Sequence, residues 1–250
     1  MTMRDRDSEN KYSARSRPSR ALILLVVFCS GYIVMALEIL AFRIIQAGID
    51  SSIIATGAIL GVILSALTIG YWLGGTWSAR FNPTGIQAFA LIVAGIWIFS
   101  LAGMPDSPSD LVSLNRAIVS GQGVAPPPPW KSVPDYIVNH PISENMEIRL
   151  RLDPLLASLY LFAVPSFLLA MVGPCAVQIL TRKTSDAGRT AGWVFALGSL
   201  GSIVGVIVTS FWLIAYAGIT ANLRIIGLAA LLTGIIVSLI RNPHVKTYES

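Results

Sequence analysis

Three charged residues sit inside or beside apolar runs that should carry none: Glu38, Arg43 and Arg224. Glu38 and Arg43 belong to the stretch Gly31–Arg43, GYIVMALEILAFR. An ionisable side chain within hydrocarbon is costly, so it marks an ion or proton pathway or is neutralised by a partner. With a helix starting at Ala21, Glu38 lies about 25 Å along the axis and Arg43 about 33 Å. Five residues amount to roughly 140° of rotation, so the two are poorly placed to pair along one face. Arg43 can extend its stem to the interface. Glu38 needs a partner on another helix, and Arg224 sits at matching depth. Glu38 therefore binds a cation, carries a proton, or forms a structural ion pair with Arg224 that locks the first and last spans together.

The elements that would hold these groups follow from composition. The 250 residues are 54% hydrophobic and 12% charged, with a mean hydropathy of +0.69. Soluble domains carry about 25% charged residues, so a water-facing surface is excluded. Runs of about 20 apolar residues cross a ~30 Å hydrocarbon core as helices. Six are expected: Ala21–Ala47, Ile53–Trp77, Gly85–Gly103, Leu155–Leu180, Thr190–Tyr216 and Thr220–Ile240. The net charge of +5 does not point to nucleic acid, because the bases concentrate in residues 1–20 and in short loops. Twelve of the 18 Lys and Arg fall on one side, which puts both termini in the cytoplasm of a cell inner membrane, taken as bacterial.

The expected domains are a basic cytoplasmic tail (1–20), helices one to three (21–103), an external loop (104–152), helices four to six (153–240) and a cytoplasmic tail (241–250). The loop holds the polyproline run Pro126–Pro129 and apolar Leu111, Leu114 and Ile118 at helical spacing. Ile148, Leu150 and Leu152 alternate with Arg149 and Arg151, the pattern of a short strand or interfacial segment. Asp153-Pro154 reads as the start of the fourth helix, with the acid as N-cap.

Three spans on each side of the loop make two triplets of opposite orientation, a common transporter construction. The middle span of each is rich in small residues: Gly57, Gly61, Gly70 and Gly74 in one, Gly198, Gly201 and Gly205 in the other. Such rows let helix backbones approach in lipid. Pro165 and Pro174 should kink the fourth span. Cys29 and Cys175 lie in apolar runs, with no CxxC or His/Cys cluster, so no disulfide framework, metal or cofactor is expected. His140 and His244 lie outside the spans. No HExxH and no Ser/His pair within spans suggests an intramembrane enzyme.

The stretch Gly31, Glu38, Arg43 resembles the first span of the fused major-facilitator/spermidine-synthase-like membrane proteins, with their G-x-x-A-L-x-Y-E-x-x-W-x-R pattern; Leu37 stands where that family has the aromatic. Gly70–Arg80 resembles its L-G-S-x-x-G-G-R-L-A-D-R, with Ala79 in place of the acid. Pro165–Pro174 is similar to P-T-L-L-M-G-A-T-L-P, and Gly188-Arg189 with Ala196–Gly205 to G-R-x-Y-A-x-N-x-x-G-A-x-x-G. The resemblance implies an all-α, half-major-facilitator-like bundle of two inverted three-helix repeats. It implies a transporter-like protein binding or moving a small, polyamine-like organic cation, alone or as a homodimer. The alternative is a membrane anchor or scaffold for a separate synthase-like or other protein partner. The chain carries no strand–GxGxxG–helix unit, so synthase activity is not expected.

Overall fold

The computed structural model describes residues 20–48, 53–102, 146–181 and 183–240. The expected N-terminal tail before Arg20, most of the long loop with its proline run, and the C-terminal tail lie outside the described residues. Among those described there is no strand, and the order is α1 (Arg20–Gly48), α2 (Ile53–Arg80), α3 (Pro83–Leu101), α4 (Met146–Ser158), α5 (Val164–Ala170), α6 (Val172–Leu180), α7 (Ala187–Val208) and α8 (Ile214–Ile240). Five helical runs are long and apolar enough to cross a membrane: Arg20–Ile45, Ile53–Arg80, Pro83–Leu101, Leu152–Leu180 and Thr184–Leu239. The protein is a multi-pass, all-helical membrane protein. In hydrocarbon a helix satisfies its own backbone, which is why apolar runs of this length fold this way.

The fifth run is 56 residues long. Straight, it would measure about 84 Å, far more than one crossing. It is broken at Gly218, whose φ of 73° and ψ of 178° lie outside any helix in a region essentially reserved for glycine. Asn222 bridges the break. Its Nδ2 donates to the Leu213 carbonyl at 2.8 Å and to the Gly218 carbonyl.

The fourth run departs from expectation at its start. The helix begins at Met146, so Ile148, Leu150 and Leu152 are helical and not a strand, and Pro154 lies inside α4. Asp153 therefore does not cap the helix. Met146, Glu147, Arg149, Leu150 and Arg151 ahead of it are strong helix formers, and they carry the helix back past the local Asp-Pro start signal. The run then passes through a π-helical turn, Leu159–Ala163, immediately before α5. Pro165 has no N–H to offer the carbonyl one turn back. That carbonyl, of Leu161, accepts from the Trp97 indole Nε1 at 3.1 Å. The second break falls at Met171, between α5 and α6, just ahead of Pro174. The two irregular points of the run thus lie ahead of the two prolines.

Packing is organised by close backbone approach. α7 lies along α1, α2 lies along the α4–α6 run, and α3 lies along α8. A Cβ on Gly201 or Gly205 would run into the backbone of Phe28 or Tyr32 on α1, and one on Gly70 or Gly74 into Phe167 or Met171. Gly95 and Gly227 face each other between α3 and α8. Dispersion contacts of this kind drive helix association where lipid removes the hydrophobic term. The apolar core they enclose includes Leu37, Leu40, Ile59, Ile63, Leu91, Ile98, Phe162 and Leu223.

Two expected packing glycines meet no neighbouring helix among the described residues. A Cβ on Gly57 or Gly61 would meet nothing within 4 Å. The buried face of α2 runs through Ala55, Ala58, Ile59, Val62, Ile63, Ala66, Gly70 and Gly74, and the Gly57–Gly61 row lies on the opposite side of the cylinder. Gly198 makes only an ordinary contact of its own, with Val27 at 3.4 Å, while its carbonyl is where a Cβ on Gly31 would land.

Candidate functional site

The helix pairs leave a gap. α2 and α7 make no substantial contact with each other. Between them, and floored by α1 and the α5–α6 break, lies a crevice of about 140 Å³. Its wall takes Val27, Ser30, Gly31 and Val34 from α1, and Tyr71 from α2. The fourth run gives Leu169, Ala170, Val172 and Gly173, and α7 gives Val194, Phe195, Gly198, Ser199 and Ser202.

Depth can be read from helix rise. Ser30 is about 15 Å above Arg20, Tyr71 about 14 Å from Arg80, and Leu169 about 16 Å from Leu180. These put the crevice near the middle of a ~30 Å hydrocarbon core. Two of its hydroxyls are tied down: Ser30 Oγ donates to the Leu169 carbonyl at 3.3 Å and Ser202 Oγ to the Gly31 carbonyl at 3.3 Å. Each oxygen keeps lone pairs for a further donor. Among the described residues the Ser199 and Tyr71 hydroxyls make no hydrogen bond, and both residues are exposed. Pro174 withholds the N–H that would otherwise bond the Ala170 carbonyl, and Ala170 is itself part of the wall.

The charged residues singled out in the sequence lie elsewhere. Glu38 and Arg224 are each half-buried, and Arg43 is exposed. α1 and α8 do pack against each other. Among the described residues no hydrogen bond or ion pair reaches the Glu38 carboxylate, while Arg224 has a polar or electrostatic contact of its own. None of the three lines the crevice. Sequence reasoning did not single out Ser30 or Tyr71, and took Ser199 and Ser202 only as members of the small-residue stretch Gly198–Gly205. The available signal was a hydroxyl next to a close-packing glycine: Ser30 precedes Gly31, Tyr71 follows Gly70, and Ser202 follows Gly201.

A second depression of about 340 Å³ opens at the basic end of the bundle, lined by Arg20, Leu24, Leu180, Asp186, Arg189, Thr190 and Trp193. Arginine with tryptophan at a helix end is the composition of a headgroup-level belt. No group of three or more His, Cys, Asp or Glu among the described residues could hold a metal. Comparisons with protein-family models, with curated proteins and with solved structures each find no match.

Proposed function

We propose that this is a non-catalytic, transporter-like protein of the bacterial inner membrane, with six crossings arranged as two inverted three-helix repeats and both termini cytoplasmic. It moves a small organic solute through the mid-membrane crevice. The supporting observation is that the helix contacts keep their pattern when the two triplets are exchanged. Exchange of α1 with the fourth run, α2 with α7 and α3 with α8 turns the α1–α7 pair into the pair of α2 with the fourth run, and turns α1–α8 into α3 with the fourth run.

Individual residues follow the same exchange. Gly201 and Gly205 sit on Phe28 and Tyr32 as Gly70 and Gly74 sit on Phe167 and Met171. On that register Ser30 corresponds to Leu169, so the Ser30–Leu169 hydrogen bond joins a residue to its own counterpart. Gly95 meets Gly227 and Leu231, while Gly227 meets Gly95 and Phe99. Two self-paired contacts of this sort mark where a pseudo-two-fold axis would run, and the crevice contains one of them. Sites at repeat interfaces near the midplane, bounded by interrupted helices, are the usual transporter arrangement.

The resemblance makes a polyamine-like organic cation the first solute to try. Reconstituted protein should take up at least one solute from a panel of labelled putrescine, spermidine and glycerol faster than protein-free liposomes do. No protein-dependent flux for any of them would remove the transport reading and leave that of a scaffold for a partner protein.

A further inference from the structure

The crevice has a definite chemical character. None of its wall residues is Asp, Glu, Lys, Arg or His. The nearest in-span acid on the same helix, Glu38, lies about 12 Å further along α1 than Ser30 and is not part of the wall. An ammonium group in this position would lose its hydration with no counter-charge to replace it. What the wall does offer is neutral polarity. Ser30 and Ser202 spend their protons on backbone carbonyls and keep acceptor lone pairs. Ser199 and Tyr71 can donate and accept. The volume of about 140 Å³ is close to the ~150 Å³ of a cavity that accommodates benzene.

We propose that this crevice is a binding site for a small uncharged polar solute bearing hydroxyl or amide groups, and that it excludes organic cations. The proposal rests on the transporter reading for its biological sense and names that protein's substrate class. It departs from the polyamine expectation.

The test uses the full chain in membrane vesicles, with Cys29→Ala and Cys175→Ala as background and Ser199→Cys as the reporter. Modification rates are compared for neutral methyl methanethiosulfonate and its trimethylammonium-ethyl analogue, each normalised to its rate with free cysteine. The cationic reagent is expected to react at least about tenfold more slowly. At least one of glycerol, acetamide and urea is expected to protect the thiol, and putrescine is expected not to.

Equal or faster reaction with the cationic reagent, protection by putrescine, or no protection by any of the three neutral probes would each overturn the proposal. Ser202→Cys supplies the same readout where Ser199→Cys fails to fold. Protection is a binding measurement, so it separates the two ideas. Protection by glycerol without any flux sinks the transporter reading and keeps the site. Flux of putrescine with no protection by any of the three neutral probes keeps transport and sinks the uncharged class.

Discussion

The Trp97 indole shows how one side chain can compensate a helix defect. It donates to the Leu161 carbonyl, whose helical donor Pro165 lacks, and its ring meets Tyr160 edge-on with centroids 6.3 Å apart. Trp97→Phe keeps an aromatic ring but leaves that carbonyl unpaired, so denaturation in detergent should show a loss of about 1–3 kcal/mol. Glu38 is the opposite case. It has no hydrogen-bonding or ionic partner among the described residues and stands outside the crevice. Glu38→Gln removes an ionisable group from the span without breaking a bond, so it is expected to leave stability unchanged or raise it and to leave any solute flux intact. A large loss of either would restore Glu38 to the mechanism or to a lock between α1 and α8. The sequence drew attention to Glu38 because a charge in hydrocarbon is conspicuous. The serines and Tyr71 were not legible, because a hydroxyl in a membrane helix commonly bonds its own backbone, as Thr68 and Thr233 do here, and only the neighbouring helices tell which ones face a gap.

At the scale of the helices, glycine position matters more than glycine content. Gly201 lies at the α1–α7 contact and Gly70 at the contact of α2 with the fourth run, and at both a Cβ would strike backbone. Gly201→Ala and Gly70→Ala should each destabilise the fold by about 1–3 kcal/mol, as overpacking does. Gly57→Ala meets open space and should be neutral or stabilise α2 by up to about 1 kcal/mol. Equal effects at all three positions in detergent unfolding would mean that the contacts do not set the packing. Gly218→Ala should cost about 1–3 kcal/mol for its backbone conformation alone. Apolar run length was enough to foresee the helices, and the irregular turns of the fourth run fall just ahead of Pro165 and Pro174. The start of α4 was not foreseen, because Asp153-Pro154 is a sound local start signal that the strong helix formers before it, Met146 to Arg151, override. Gly57 and Gly61 misled for a related reason: spacing gives a row of small residues but not which side of the cylinder the neighbours occupy.

For the whole molecule, the exchange of triplets ties the separate contacts into one arrangement. In the proposed arrangement an odd number of crossings in each triplet reverses the second relative to the first, and α7 and α8 each cross, with Gly218 at the turn between them. The exposed residues Phe81, Ser185 and Ala217 lie at the α2–α3 turn, before α7 and at the Gly218 break, and so report the path of the chain. In a background lacking Cys29 and Cys175, each is replaced singly by cysteine and labelled in sealed vesicles of known orientation with a membrane-impermeant maleimide. Six crossings in two inverted triplets predict that Phe81→Cys and Ser185→Cys react from one face and Ala217→Cys only from the other; reaction of Ala217→Cys from the same face as Ser185→Cys would contradict the inverted repeat.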